Sequence, residues 1–306
     1  MEKMKSRWMK TFLLPALIFV TAIPNLTAQV NEKKVIYIER ASTTDLLVEK
    51  WIHEYTTVNP QVEIKIADRN TDKSEINLQI ITHTPPDSLL SPGQSLLCVG
   101  RYALVPITCK CNPALDDIGE LNKKKLVNLF FEKDVDETTK KSKDKLDVTV
   151  YSGNRANSGA TTFSDHFGYS PSRLKGQRIF GDDIHLIDAI RHDTTGVTFN
   201  CLSCAYDIDS RKLHEDLALL PLDLKKDYKE NYCADMDQLL TMLENNQVDL
   251  IPVDNVNVTY YNDSNKEVID FLKWILSDGV KHNKKFGFLA PDNKTQMAQK
   301  IQTKIK

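Results

Sequence analysis

DVTVYSGNRANSGATTF, residues 147–163, joins a strand-like run to the start of a helix. At that junction Arg155, Ser158, Gly159, Ala160, Thr161 and Thr162 bring together a positive charge, small residues, backbone NH groups and hydroxyl donors. Unsatisfied NH groups and the positive end of the helix dipole make such a place a grip for an oxyanion.

On either side of it strands and helices alternate. KKVIYIER (33–40) reads as a strand, and Ser42 or Thr43 then caps a helix to about Tyr55 whose buried stripe is Leu47, Trp51 and Tyr55, with Val48 and Ile52 beside it. Asn59 and Pro60 end that helix, and VEIKIA (62–67) is the next strand, so the segment is a βαβ unit with a hydroxyl-rich helix start. Residues 76–82 and the apolar stretch 96–107 are further strand candidates, whereas the charge-crowded 132–145 reads as a solvated loop. Beyond the opening stretch, 162–167 and 182–192 read as helices, 196–206 and 217–222 as strands, 236–244 as a helix and VDLIPV (248–253) as a strand. A closing helix carries Ser264 and Glu267 as a capping box and the stripe Val268, Phe271, Leu272, Ile275 and Leu276. Alternation of this kind predicts an α/β fold with mainly parallel sheets.

Residues 1–28 look like a cleavable signal peptide, with Lys3, Lys5, Arg7 and Lys10 ahead of an apolar run interrupted by Pro15 and ending in small residues at Thr27 and Ala28. Removing them leaves 278 of the 306 residues and moves the formal charge from −2 to −5. A mildly acidic protein is not a nucleic-acid binder by bulk electrostatics, so any anion site is local. Six cysteines in an exported chain favour buried thiols or one or two disulfides. The spacing of Cys109 and Cys111 is too tight for a zinc finger. Cys201 and Cys204 read as mid-strand, away from the helix N-terminus that a redox CxxC needs.

Five phrases, in order, resemble the periplasmic phosphate-binding proteins of ABC transporters, the PstS type. They are VIYIERASTTDLLVEKWIHEYTTVNP; VPITCKCNPALDDI leading into LNKKKLVNLFFEKD; RANSGATTF; TTGVTFNCL; and VIDFLKWILSDGVKHNKKFGFL. The resemblance covers nearly all of the chain after residue 28 and implies a type II periplasmic binding protein. Two lobes, 29–104 with 253–306 and 105–252, would each hold a mainly parallel sheet flanked by helices, with the ligand cleft between them.

What the resemblance implies for the site is a ligand hydroxyl at Thr43, flanked by Ser42 and Thr44, and a phosphate-binding arginine at Arg155. A gapless alignment puts Thr161, Thr162 and Phe163 on the family's ending but reverses Ser158 and Gly159; sliding by one restores that pair and displaces Arg155. Where many members have a Gly-Ser-Gly phrase after the second strand, ADRNTDKSE (67–75) stands instead, and His83 and Thr84 are the nearest replacements, with Ser74 a further one. The implied partners are phosphate or a similar oxyanion and a membrane permease of an ABC importer, with the protein a periplasmic monomer. No enzyme constellation, metal or cofactor is called for. An alternative keeps the fold and makes the chain a sensor or an envelope interaction protein with a diverged site. Read alone, Ser42 and Thr43 are a helix cap, Arg155 a surface or salt-bridging arginine and His83 a loop histidine.

Overall fold

In the computed structural model, residues 34–132, 147–153 and 159–292 are described. The strands are β1 (Lys34–Arg40), β2 (Val62–Ile66), β3 (Ile76–Ile81), β4 (Gln94–Cys109), β5 (Thr149–Gly153), β6 (Gln177–Ile179), β7 (Gly196–Cys201), β8 (Leu217–Leu219) and β9 (Val253–Tyr261). The helices among these residues are α1 (Asp45–Val58), α2 (Leu115–Ile118), α3 (Lys123–Phe130), α4 (Gly159–Phe167), α5 (Ile184–His192), α6 (Leu202–Ala205), α7 (Lys226–Tyr232), α8 (Met236–Asn245) and α9 (Lys266–Ser277). The charged segment expected as a loop lies almost wholly outside the described residues, as do Arg155 and Ser158.

Strand order is β2-β1-β3-β9-β4-β7-β5-β6, with β8 also paired to β4. Each end is a parallel trio, β2-β1-β3 at one and β7-β5-β6 at the other. Between them β9 runs antiparallel to both β3 and β4. The 16-residue β4 pairs with β9 from Gln94 to Ala103 and with β7 from Leu104 to Thr108, so one strand serves both trios. Its register with β9 shifts between Cys98 and Gly100, and the carbonyl of the extra residue, Val99, accepts from Asn283 Nδ2 at 2.8 Å. A buried backbone carbonyl displaced from its ladder needs such a donor.

Helix α1 buries Leu47, Val48, Trp51 and Tyr55, each fully covered large side chain stabilising by about 1.5–3 kcal/mol. Trp51 Nε1 donates to the Gly279 carbonyl at 2.8 Å, and the Tyr55 ring lies 4.8 Å from that of Phe271 on α9. In the other half an aromatic stack fixes α4 on β7: the Phe163 and Phe199 rings are parallel with centroids 3.9 Å apart, and Phe130 and Phe167 close on them edge-on or tilted. That stack sets the height of the α4 N-terminus above the sheet.

Several local expectations are corrected. Neither Ser42 nor Thr43 caps α1: a 3₁₀ turn, Ser42–Thr44, intervenes, and Thr44 Oγ1 turns back to the Ala41 carbonyl at 2.7 Å. The cap of α9 is Asn265, whose side chain accepts from the Val268 NH, not Ser264. VDLIPV is a buried turn closed by the Ile251 NH on the Val248 carbonyl, with β9 beginning only at its last residue. The strand expected over 217–222 stops at Leu219, and that expected over 196–206 stops at Cys201, where α6 begins. Cys201 is therefore at a helix N-cap, not mid-strand.

Candidate functional site

The 3₁₀ turn before α1 follows from the strand it leaves. Ala41 NH still belongs to the β1–β3 ladder through the Ile80 carbonyl, while its own carbonyl receives both the NH and the hydroxyl of Thr44. Thr44 is thus committed and fully buried, and the turn sets Thr43 just beyond the C-terminal end of β1. Thr43 Oγ1 is buried and has no hydrogen-bond partner among the described residues. The Thr43 carbonyl accepts from Ser203 Oγ on α6 at 3.0 Å. Beside it Asp45, held by Arg40 at 2.8 Å, has its carboxyl raised above the usual range, because burial outweighs that guanidinium and Glu49 and Asp182 add repulsion.

The α4 N-terminus is engaged by a carboxylate of the chain itself. Gly159 NH donates to Asp183 Oδ2 at 2.7 Å. Asp183 precedes α5, where an aspartate would ordinarily cap its own helix, yet its backbone is already helical there and it makes no such cap. Its side chain instead reaches another helix's NH, and its carbonyl receives Asn200 Nδ2 at 2.6 Å. Glycine permits that approach, since a Cβ at Gly159 would stand 3.1 Å from the Asp183 oxygen and 3.2 Å from Leu104. A helix N-terminus receives a carboxylate for the same reasons that it receives phosphate.

One turn along α4, Thr162 is buried and its hydroxyl is occupied. It donates to Asp254 Oδ2 at 3.0 Å, so the Tyr102 hydroxyl, 2.7 Å away, is the donor to it. Burial raises the Asp254 carboxyl above its ordinary range despite the Asn255 NH and the Thr162 hydroxyl. Burial likewise lowers the His83 imidazole below its ordinary value against the attraction of Asp254 and Asp165. His83 Nδ1 has no hydrogen-bond partner among the described residues. Asn257 Nδ2 holds the His83 carbonyl at 2.8 Å, and Asn255 Nδ2 reaches Thr84 Oγ1 at 3.0 Å, so both expected residues are fixed to β9.

The structure thus brings Thr43, Gly159, Thr162, His83 and Thr84 into one connected network. From Thr43 it runs through Ser203 and Cys201 to Asn200, on to Asp183 and Gly159, along α4 to Thr162 and Asp254, and through Asn255 to Thr84 beside His83. Ala160 and Thr161 follow Gly159 on α4, and Ser42 opens the turn that carries Thr43. Ser74 is not in the network; its NH and hydroxyl both go to Asp72. A groove between α7 and α8, lined by Asp227, Tyr228 and Gln238 among others, contains none of these residues. Sequence reading missed Asp183, Asp254, Asn200 and Ser203. An Asp-Asp pair at a helix start was the only signal for the first, and it pointed to a local cap. Among the described residues no three His, Cys, Asp or Glu side chains are grouped to hold a metal, and no helix is long and apolar enough to cross a membrane.

By sequence, no protein family and no curated protein matches this chain. Its backbone does resemble known structures. A phosphate ABC-transporter substrate-binding protein from Clostridium perfringens, with phosphate bound, superposes with a TM-score of 0.62 at 13% identity, covering 85% of this chain and 100% of that one. An ABC-type phosphate transport receptor from Vibrio cholerae gives 0.56 at 11%, over 84% and 100% of the two chains. Full-length BenM, in a mutant form, gives 0.51 at 11%, over 86% of this chain and 71% of that one. The fold is that of the two-lobed type II periplasmic binding proteins. At these identities the likeness carries the fold, not the ligand.

Proposed function

We propose that this chain is an exported solute-binding protein that captures phosphate, or a closely related oxyanion, between its lobes and presents it to the permease of an ABC-type importer. The observation that carries the reading is the network just described. The hydroxyl-bearing turn before α1 and the N-terminus of α4 lie on one chain of contacts, and the buried oxygen of Thr43 and the ring nitrogen of His83 have no partner among the described residues. In this reading 29–104 with 253–306 forms one lobe and 105–252 the other. Residues 1–28 are a signal peptide, and the protein acts as a periplasmic monomer.

A desolvated oxyanion needs many donors. Thr43, the NH group of Gly159, and Arg155 with Ser158 supply them, with Ser42, Thr44, Thr84, Ala160 and Thr161 around them. His83, kept neutral, or the carboxylate of Asp254 accepts the proton that phosphate carries and sulfate lacks. In the conformation described here the Asp183 carboxylate holds an α4 NH that the ligand needs, so capture includes its displacement.

The same contact favours a second reading, a fold whose site is permanently filled from within and which serves as a sensor or envelope interaction protein. Calorimetric titration with phosphate, with sulfate as competitor, separates the two. Saturable heat that sulfate fails to suppress supports capture, and its absence from a folded sample refutes it.

A further inference from the structure

Cys201 and Cys204 stand apart from the other thiols. The chain leaves β7 at Cys201 and enters the single helical turn of α6, so residues 201 and 204 fall on one side of that turn. Their sulfurs are 3.1 Å apart. A disulfide requires about 2.05 Å, so bonding asks for a movement on the order of 1 Å within one turn. Cys201 is buried and Cys204 only partly so, which leaves Cys204 as the thiol that an incoming oxidant meets. Ser203, between them, donates its hydroxyl to the Thr43 carbonyl, and Cys201 Sγ lies 3.1 Å from that same Ser203 oxygen. Gly287 packs on the Ser203 backbone from the far side, at a φ of +81°.

We propose that Cys201 and Cys204 are a site of reversible oxidation, and that their disulfide fixes the Ser203 turn against the start of α1. The oxidant is a disulfide of low molecular weight or of a thiol–disulfide oxidoreductase. Cys204 is the sulfur within reach, although its Cys201 neighbour and burial hold its pKa up; once deprotonated it attacks one oxidant sulfur and expels the other as a thiolate, giving a mixed disulfide. The Cys201 thiolate then attacks Cys204 Sγ and expels the second oxidant sulfur. Two protein thiols lose two electrons and two protons, and one oxidant disulfide becomes two thiols. The chain already carries a Cys109–Cys111 disulfide, which is in keeping with exposure to such oxidants. The consequence is a link between redox state and Thr43, because the bond that orders α6 also orders the donor to the Thr43 carbonyl.

The full chain is equilibrated in buffers of reduced and oxidised glutathione, acid-quenched, alkylated and mapped by peptide mass spectrometry. A Cys201–Cys204 link is expected to grow with the oxidised fraction, while buried Cys98 remains alkylated and exposed Cys233 takes up glutathione without forming a link within the chain. If Cys201 and Cys204 stay alkylated, or Cys204 stops at the mixed disulfide, in pure oxidised glutathione, the proposal is overturned. Cys201→Ser is expected to accumulate glutathione on Cys204, and Cys204→Ser to leave Cys201 reduced; the reverse pattern overturns the order of attack. Hydrogen exchange of amides 42–46 is expected to slow at least about threefold on oxidation, an effect lost in Ser203→Ala. Equal exchange in both redox forms of the unsubstituted protein overturns the link to Thr43.

Discussion

Replacing Asp183 tests the site most directly. Its carboxylate accepts the Gly159 NH at 2.7 Å, a charge-assisted bond of about 1.5–3 kcal/mol that an oxyanion reaching the same NH must displace. Since about 1.4 kcal/mol is a factor of ten in affinity, Asp183→Ala is expected to tighten phosphate binding roughly ten- to hundredfold. Asp183→Asn, which leaves a neutral carbonyl able to accept more weakly, should fall between that variant and the parent. Loss of that bond costs the same order, about 1.5–3 kcal/mol of stability, which a domain of ordinary stability, about 5–15 kcal/mol, survives. Calorimetry on the three proteins, with thermal unfolding as the check on folding, reads the result. Unchanged or weaker phosphate binding by a folded Asp183→Ala protein would show that the carboxylate is not a competitor for the seat.

Other perturbations follow from the packing and the charges. Phe163→Ala removes the ring stacked on Phe199 and is expected to cost about 3–5 kcal/mol in chemical denaturation, whereas Phe180→Ala, at an exposed position, should stay within about 0.5 kcal/mol. Asn265→Ala should destabilise by about 1 kcal/mol and Ser264→Ala by much less; equal losses would contradict the cap. His83 has its pKa lowered in the fold, so the unfolded chain binds a proton there first and stability falls as pH drops through the ordinary histidine range. His83→Gln should flatten the stability-against-pH curve in that range, and an unchanged slope would locate the titration elsewhere.

The α/β class and most elements were legible because the first strand, α1, α5, α8 and α9 carry clean periodicities that tertiary packing then uses. Where the reading failed, local pattern and burial were degenerate. VDLIPV is as apolar as a strand, but a buried turn is equally apolar, and Pro252 precedes the residue where pairing starts. Ser264 and Asn265 are both good caps with partners at the right spacing, and only backbone geometry separates them. The end of β7 reads as strand because a single helical turn cannot impose a period. Site chemistry was legible as residue types near helix starts, not as contacts. That Asp183 turns away from its own helix, or that Thr162 gives its hydroxyl to Asp254, depends on partners 24 and 92 residues distant.

The position of β9 bears on the order in which this chain can fold. Residues 253–261 fill the place between β3 and β4, strands that end at Ile81 and begin at Gln94. Until that late segment is available, the first parallel trio and the long β4 each present an unpaired edge, and covering them requires closing over residues 82–252 from β3 and 110–252 from β4. Closure over such separations is slow, and open edges invite pairing with other chains. A chain that stops short of residue 253 therefore lacks more than a C-terminal tail: it keeps two adhesive strand edges through its lifetime, which makes self-association the characteristic failure of any truncation there.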